Sequence, residues 1–283
     1  MNKNIIEKIL IFACVGMAVF CLLMGWKQQS ETEVYCAPDR KRENIEEILD
    51  ETYWDKEKYR TLFYQTGLGR RVIESIPVEE RKDTLLKSQQ AFFLTPTVEC
   101  SANSVISWQE ENTNLYLPEI NGLEEGDILV SFCSHTFGWR NGHAAIVVDA
   151  KKGKTLEAVF IGRDSCLQSV QKWRKYPSFL VLRLKDTMPE VRKEIAEYAL
   201  ENLEGIQYGF VTDVIEHFWG IDRNAADTDC AHLIWRSFFA FGYDLDSDGG
   251  LIVTPRDIAE SPLLEIVQVY GIDLDTIQER KSE

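Results

Sequence analysis

The sequence has little of what metal sites and nucleic-acid surfaces require. Its 283 residues include only 4 histidines, and none of its cysteines or histidines has the Cys-x-x-Cys or His-x-x-x-His spacing of paired metal ligands. Acidic residues outnumber basic ones by 46 to 31, for a net charge of −15. A surface of that sign repels nucleic acid and attracts anionic lipids or wall polymers only weakly. We therefore expect no metal, no other cofactor and no nucleic-acid partner.

The sequence also lacks internal repeats and low-complexity segments, which excludes solenoids and a largely disordered chain. Apolar residues make up 45% and aromatic residues 11%, enough for a packed core. One acidic stretch, residues 244–249, resembles the start of a calcium loop. Its twelfth position is Pro255, where such a loop carries a bidentate glutamate, so we interpret the stretch as a polar turn.

The N-terminus contains an uncharged run over residues 9–26 that is long enough to cross a membrane. No small-x-small cleavage site follows closely, so residues 1–26 are predicted to be an uncleaved signal anchor. A cleaved signal peptide, giving a secreted protein, is the alternative. We expect a single-pass membrane protein with residues 27–43 as a tether and the remainder outside the cytoplasm.

Residues 44–118 are predicted to form a helical accessory region. Charged and apolar residues alternate at helical spacing over four segments, with Gly67, Gly69 and Pro77 as breaks. Residues 95–118 are predicted to be connecting loops that could include a strand. The aromatic residues of this region favour packing against the following domain, and a substrate-binding role for the layer is the alternative.

Cys230 begins a segment with the apolar spacing of a buried helix, carried by Leu233, Ile234 and Phe238. Asp229 is an N-cap residue type, so the cysteine should lie in the first helical turn. Backbone N–H groups and the helix dipole there stabilise a thiolate, which makes Cys230 a candidate nucleophile. The alternative is a small apolar residue that fills the core.

Three short segments upstream are predicted to be strands, at residues 126–132, 142–149 and 154–161. A tight turn at Lys152-Gly153 would make the second and third an antiparallel hairpin. His143 then begins the second strand and Glu157 lies on the third. A carboxylate beside an imidazole fixes its tautomer and raises its basicity. A Cys/His/acid arrangement is therefore predicted.

These segments resemble the NlpC-type papain-like peptidases in their circularly permuted branch, in which the histidine precedes the cysteine. That branch includes the YiiX/YebB-like proteins and the lecithin:retinol acyltransferase relatives. The resemblance covers roughly residues 123–270. The matching segments are Gly126-Asp127, Gly142-His143, Leu156-Glu157-Ala158, Val170-Gln-Lys-Trp173, Gly205-Ile-Gln-Tyr208-Gly209, Asp229-Cys230-x-x-Leu233-Ile234-Trp235 and Val253-Thr-Pro-Arg-Asp-Ile258.

The resemblance implies an α+β, papain-like domain at residues 119–275, with an antiparallel sheet packed against helices and a short tail at 276–283. It implies Cys230 as nucleophile, His143 as general base and Glu157 as the group that orients the histidine. It also implies a cysteine peptidase or amidase acting on cell-wall stem peptides, in particular at γ-D-glutamyl-diamino-acid bonds. The implied candidates for substrate contacts are Asp127, Tyr208 and Asp229.

The chain departs from this family at Asp229, where relatives often carry an aromatic residue. A carboxylate beside the thiol opposes thiolate formation. Two alternatives therefore stay open. One is a lipid thioesterase or acyltransferase that uses the same triad, and the other is a catalytically inactive binding module.

The pairing of the remaining cysteines depends on whether the domain lies in an oxidising compartment. Cys36, Cys100, Cys133 and Cys166 could form up to two disulfides outside the cytoplasm, with the pairing open. Cys133 is also the rival nucleophile. Cys230 is preferred because it has the helix start and the matching motif.

Overall fold

The computed structural model describes residues 40–136, 138–209, 227–250 and 252–272, with position 38 and a few positions between 11 and 19. Helices, in chain order, are α1 (Glu46–Leu49), α2 (Lys56–Thr66), α3 (Arg70–Ser75), α4 (Val78–Phe92), α5 (Pro189–Leu203), α6 (Cys230–Phe239) and α7 (Pro255–Glu260). Strands are β1 (Val98–Ala102), β2 (Ser107–Asn112), β3 (Ile128–Ser131), β4 (Ser134–Thr136), β5 (Trp139–Arg140), β6 (His143–Asp149), β7 (Lys154–Glu157), β8 (Cys166–Ser169), β9 (Phe179–Leu184), β10 (Gln207–Tyr208), β11 (Asp227–Thr228) and β12 (Leu264–Tyr270).

The central element is a six-stranded antiparallel sheet in the order β12-β9-β3-β6-β7-β8. Because neighbouring strands are antiparallel and helices lie beside them, the fold is α+β, as predicted. The hairpin predicted at Lys152-Gly153 is confirmed, since β6 and β7 pair with Asp149 opposite Lys154. The third predicted strand is shorter than expected. It ends at Glu157 because residues 158–165 form the connection that returns the chain as β8.

The sheet has apolar cores on both faces because successive strand residues point to opposite sides. Ile128 and Val130 face one side, where they join a core with the inward residues of α5 and α6. Leu129 faces the other side, where the core includes buried residues of α2, α3 and α4. Each large apolar side chain buried in this way contributes roughly 1.5–3 kcal/mol. The sheet is thus held between two helical layers.

The accessory region contains helices at the predicted positions, with the expected local signals. Asp55 caps α2 by accepting a hydrogen bond from the Lys58 N–H, and Gly67 ends it with φ of 72°. A Cβ at Gly67 would lie 2.2 Å from the Val269 carbonyl oxygen. A substitution there would therefore disturb both the helix end and its contact with β12.

A second, four-stranded sheet in the order β1-β2-β4-β5 was not predicted. Residues 95–118, expected to be loops that could include a strand, contain the hairpin of β1 and β2. The sequences of these strands are polar and lack an apolar run, so their composition resembles that of loops. Since β2 pairs with β4, the predicted accessory and catalytic regions share this sheet.

No helix within the described ranges has the length and apolar character needed to span a membrane. Most of the predicted anchor, residues 1–26, lies outside the described residues. The same holds for most of the predicted tether at 27–43 and for the whole tail at 276–283.

Candidate active site

Cys230 is the first residue of α6, as the sequence predicted. Cys230 is buried, with 4% of the residue exposed. The helix that it begins packs against strand β6. The packing of α6 on β6 thus fixes the position of the thiol.

Asp229 is the N-cap of α6. Its Oδ1 accepts hydrogen bonds from the N–H groups of Ala231 and His232, at 2.8 and 3.0 Å. The carboxylate is therefore engaged by the helix, although the sequence made Asp229 a candidate for substrate contact. Burial, together with the charge of Asp229, raises the pKa of Cys230 well above its usual range. These two effects outweigh the stabilisation of the Cys230 thiolate by the start of the helix.

Replacing Asp229 with Asn should accelerate alkylation of Cys230 by about tenfold at pH 7, because the like charge is removed while the capping amide oxygen is kept. The measurement is the rate of iodoacetamide labelling at Cys230, resolved by mass spectrometry. Asp229→Ser is the matched control, since it also caps without a charge and should behave alike. Equal rates in the wild type and in Asp229→Asn would show that the carboxylate does not govern the thiol.

His143 and Glu157 form a buried pair across the β6–β7 hairpin. His143 Nε2 lies 2.6 Å from Glu157 Oε2. His143 is 3% exposed and Glu157 is 0% exposed. Trp173 stacks on the imidazole, with ring centroids 5.4 Å apart and planes 17° apart. Because Glu157 occupies Nε2, the Nδ1 atom is the ring nitrogen available to a reacting partner. The tautomer and the ring plane are both fixed.

Glu157 has three further partners that the sequence did not predict. Thr155 Oγ1 and Trp173 Nε1 donate to Oε1, at 2.6 and 3.1 Å, and the ammonium of Lys172 lies 2.6 Å from Oε2. Burial alone would raise the pKa of Glu157, but His143 and Lys172 lower it to about 2. Thr155 could have been found from strand alternation, because it shares a face with Glu157.

The charge on Glu157 should stabilise the fold in a pH-dependent way. Since its pKa falls from 4.5 to about 2 on folding, the contribution is complete above about pH 4.5 and is lost as the pH falls towards 2. Lys172→Met removes one of the groups that lower this pKa. The variant should lose roughly 1 kcal/mol of unfolding free energy at pH 7 and less at pH 3.

Urea unfolding at both pH values measures this effect. Lys175→Met, at an exposed position of the same 3-10 helix (Val170–Lys175), is the matched control. An equal loss for Lys172→Met at pH 7 and pH 3 would contradict an electrostatic role.

A small recess brings together the residues at the start of β6 and α6. Its empty volume is about 290 Å³, a figure that includes space open to solvent. No hydrogen bond joins the Cys230 thiol to His143 in the described parts of the chain, yet both residues line this recess. Tyr208 lines it too, because β10 pairs with β11 just before α6. Among the described residues, the lining is Asn103, Ser107, Gln109, Ser134, Thr136, Asn141, Gly142, His143, Val159, Tyr208 and Cys230.

Asp127 is not among the residues that line this recess, although the sequence made it a candidate for substrate contact. Its carboxylate is 0% exposed and accepts two hydrogen bonds of 2.7 Å from Arg183, which is itself 1% exposed. Burial alone would lower the pKa of Arg183, but Asp127 raises it. Asp127 also accepts from the Glu124 N–H at 2.8 Å. These contacts make Asp127 part of a buried ion pair that ties β3 to β9.

The rival nucleophile Cys133 is buried at 0% exposure, and burial raises the pKa of its thiol to about 12. Nearby, His135 Nε2 lies 3.0 Å from Glu110 Oε1, and Trp108 stacks on the ring. None of these side chains lines the recess of Cys230. Cys100, Cys133 and Cys166 are free thiols, and Cys36 lies outside the described residues.

The acidic stretch at residues 244–249 folds as a turn with several backbone N–H groups donating to its carboxylates. Oxygen atoms of Asp246, Asp248 and Asp257 lie within 4.8 Å of one another. Asp257 already accepts from the N–H and hydroxyl of Thr254 in a capping box. These local bonds agree with the predicted polar turn.

Comparisons with known proteins give no more than a weak structural similarity. No family model matches the chain, and no curated protein matches it. Among solved structures, the chain is similar to the crystal structure of the metalloprotein yiiX from Escherichia coli O157:H7, with 16% identity and a TM-score of 0.40. The alignment covers 51% of this chain and 96% of the other. A likeness this weak carries no argument about this chain, so the functional proposal is based on the site.

Proposed function

We propose that this chain is a cysteine-dependent hydrolase that cleaves an amide, with Cys230 as nucleophile, His143 as general base and Glu157 as the orienting group. The observation that carries the proposal is the His143–Glu157 pair, which fixes the imidazole at the recess that also contains Cys230. A nucleophile, a base and a group that orients the base are the parts of a catalytic triad.

The raised thiol pKa decides how such a site would work. Because burial and Asp229 disfavour an isolated thiolate, the proton would pass to His143 as the sulfur attacks the substrate carbonyl. Glu157 stabilises the imidazolium that results. The backbone N–H at Cys230 would help to hold the oxyanion. The amine then leaves with a proton from His143, and water releases the acyl group from sulfur.

Within this proposal the domain is a permuted, papain-like NlpC-type fold, and cell-wall stem peptides are the first substrates to test. The sequence resemblance and the antiparallel α+β sheet support that assignment. An N-terminal anchor would place the domain outside the cytoplasm, where such peptides occur. The lipid-acyl alternative has less support, because the described lining residues of the recess are mostly polar and Val159 is the one aliphatic residue among them.

The test is incubation of the purified full-length chain with muropeptides and, separately, with phospholipids and acyl esters. We expect new amino termini from the muropeptides with the wild type and none with Cys230→Ala. Release of fatty acid instead of peptide fragments would favour the lipid enzyme.

A second candidate is a binding module without catalysis, which the raised pKa of Cys230 favours. In that case a folded wild-type protein would release no product from either substrate class. Cys230→Ala would then bind wall fragments as well as the wild type does.

A further inference from the structure

Asn141 has a buried hydrogen-bond acceptor without a partner, inside the recess that contains Cys230. Its Oδ1 is shielded from solvent and receives no hydrogen bond from the described residues. A buried carbonyl oxygen left unpaired costs about 1–3 kcal/mol, so such atoms are uncommon and need a reason.

The position of Asn141 is fixed by the turn that leads into β6. Gly142 follows it with φ of 74°, a conformation that favours glycine. A Cβ at Gly142 would lie 2.8 Å from the carbonyl oxygen of Ser131, so the backbone packs tightly there. His143 comes next in the chain. This turn therefore positions both His143, the proposed general base, and the unpaired Oδ1 of Asn141 at the same recess.

We infer that Asn141 Oδ1 accepts a hydrogen bond from an N–H of the substrate and thereby selects amides over esters and thioesters. An amide carries an N–H beside its carbonyl, whereas an oxygen or sulfur ester has no donor at that place. A site built to accept such a donor rejects an analogue that lacks it, because its buried polar atom is left unpaired. This inference rests on the proposed function of Cys230 and His143, and it names the substrate class for that site.

The experiment compares two alkylating probes that share a carbonyl and a leaving group: iodoacetamide, which carries N–H donors, and N,N-dimethyliodoacetamide, which does not. Rates at Cys230 are measured by mass spectrometry on the full-length chain and divided by the rates with glutathione. We expect the wild type to favour iodoacetamide by about fivefold to tenfold, as one hydrogen bond allows.

Asn141→Leu keeps the volume of the side chain and removes the acceptor, so the preference should fall to the part that the bulk of the two methyl groups alone causes. The two methyl groups add the same bulk for the wild type and for Asn141→Leu. Any difference in probe preference between the two proteins therefore reports the hydrogen bond. Asn103→Leu is the matched control, because Asn103 lines the same recess with an exposed side chain. The exposed thiol of Cys100 should show no preference in any variant.

Two failures are distinguishable. If His143→Ala slows labelling of Cys230 but Asn141→Leu leaves the probe preference unchanged, the role of Asn141 is wrong and the proposed function stands. If Cys230 reacts with neither probe, or reacts equally with and without His143, the proposed function fails and the inference falls with it.

Discussion

His143→Ala is expected to lower the hydrolysis rate by about a hundredfold to ten-thousandfold, the usual contribution of a general base. The effect should be large here because burial and Asp229 raise the thiol pKa, so the sulfur has no independent route to a thiolate at neutral pH. Cys230→Ala should remove turnover altogether. The measurement is kcat/KM on the substrate found in the muropeptide and lipid screen, per folded molecule.

His135→Ala is a matched control for this prediction. His135 is also a buried histidine, paired with Glu110 at 3.0 Å and stacked on Trp108 with centroids 5.2 Å apart. It does not line the recess that contains Cys230. The His135 variant should therefore keep kcat/KM per folded molecule, whatever its loss of stability. A loss of kcat/KM per folded molecule as large as that of His143→Ala would contradict the assignment of His143 as the one general base among these two buried histidines.

The second large effect is expected on stability, at the buried pair of Asp127 and Arg183. Replacing Asp127 by Leu or Arg183 by Met should lower the unfolding free energy by about 3–5 kcal/mol, because a buried charge loses its buried partner. In Asp127→Leu the guanidinium of Arg183 keeps only Glu124 and the Gly122 carbonyl as acceptors. Replacing both, as Asp127→Leu with Arg183→Met, should recover most of that loss. Urea unfolding of the three variants measures the coupling.

The exposed pair of Lys193 and Glu197 on α5 provides the control, since its side chains are 61% and 57% exposed. Its removal should cost less than about 1 kcal/mol. A loss below about 1 kcal/mol for Asp127→Leu, with a fall in kcat/KM per folded molecule, would contradict the structural role. It would return Asp127 to substrate binding, as the sequence first suggested.

Local sequence signals predicted the parts of the site that depend on local structure. Asp229 and the apolar spacing after Cys230 are sufficient to place a helix start, and both are features of neighbouring residues. The turn at Lys152-Gly153 likewise predicts the hairpin that brings His143 to Glu157. These positions were predictable because each depends on a few consecutive residues.

The parts that were missed depend on residues far apart in the chain. Asp127 was a candidate for substrate contact through the resemblance alone, and nothing near it in sequence indicates the pairing with Arg183 on another strand. Lys172 reaches Glu157 from a short 3-10 helix after β8. The small sheet was missed because its strands are polar, so apolar alternation could not reveal them. Tertiary contacts determine all three.

The most direct test of the proposed site is the pH dependence of iodoacetamide labelling at Cys230, in the wild type and in His143→Ala. If the two residues act as a pair, the wild type should react at pH 7 and the variant should react about a hundredfold more slowly. The variant should reach the wild-type rate only at a pH high enough to ionise a buried thiol beside Asp229. Identical profiles for the two proteins would contradict the catalytic pair.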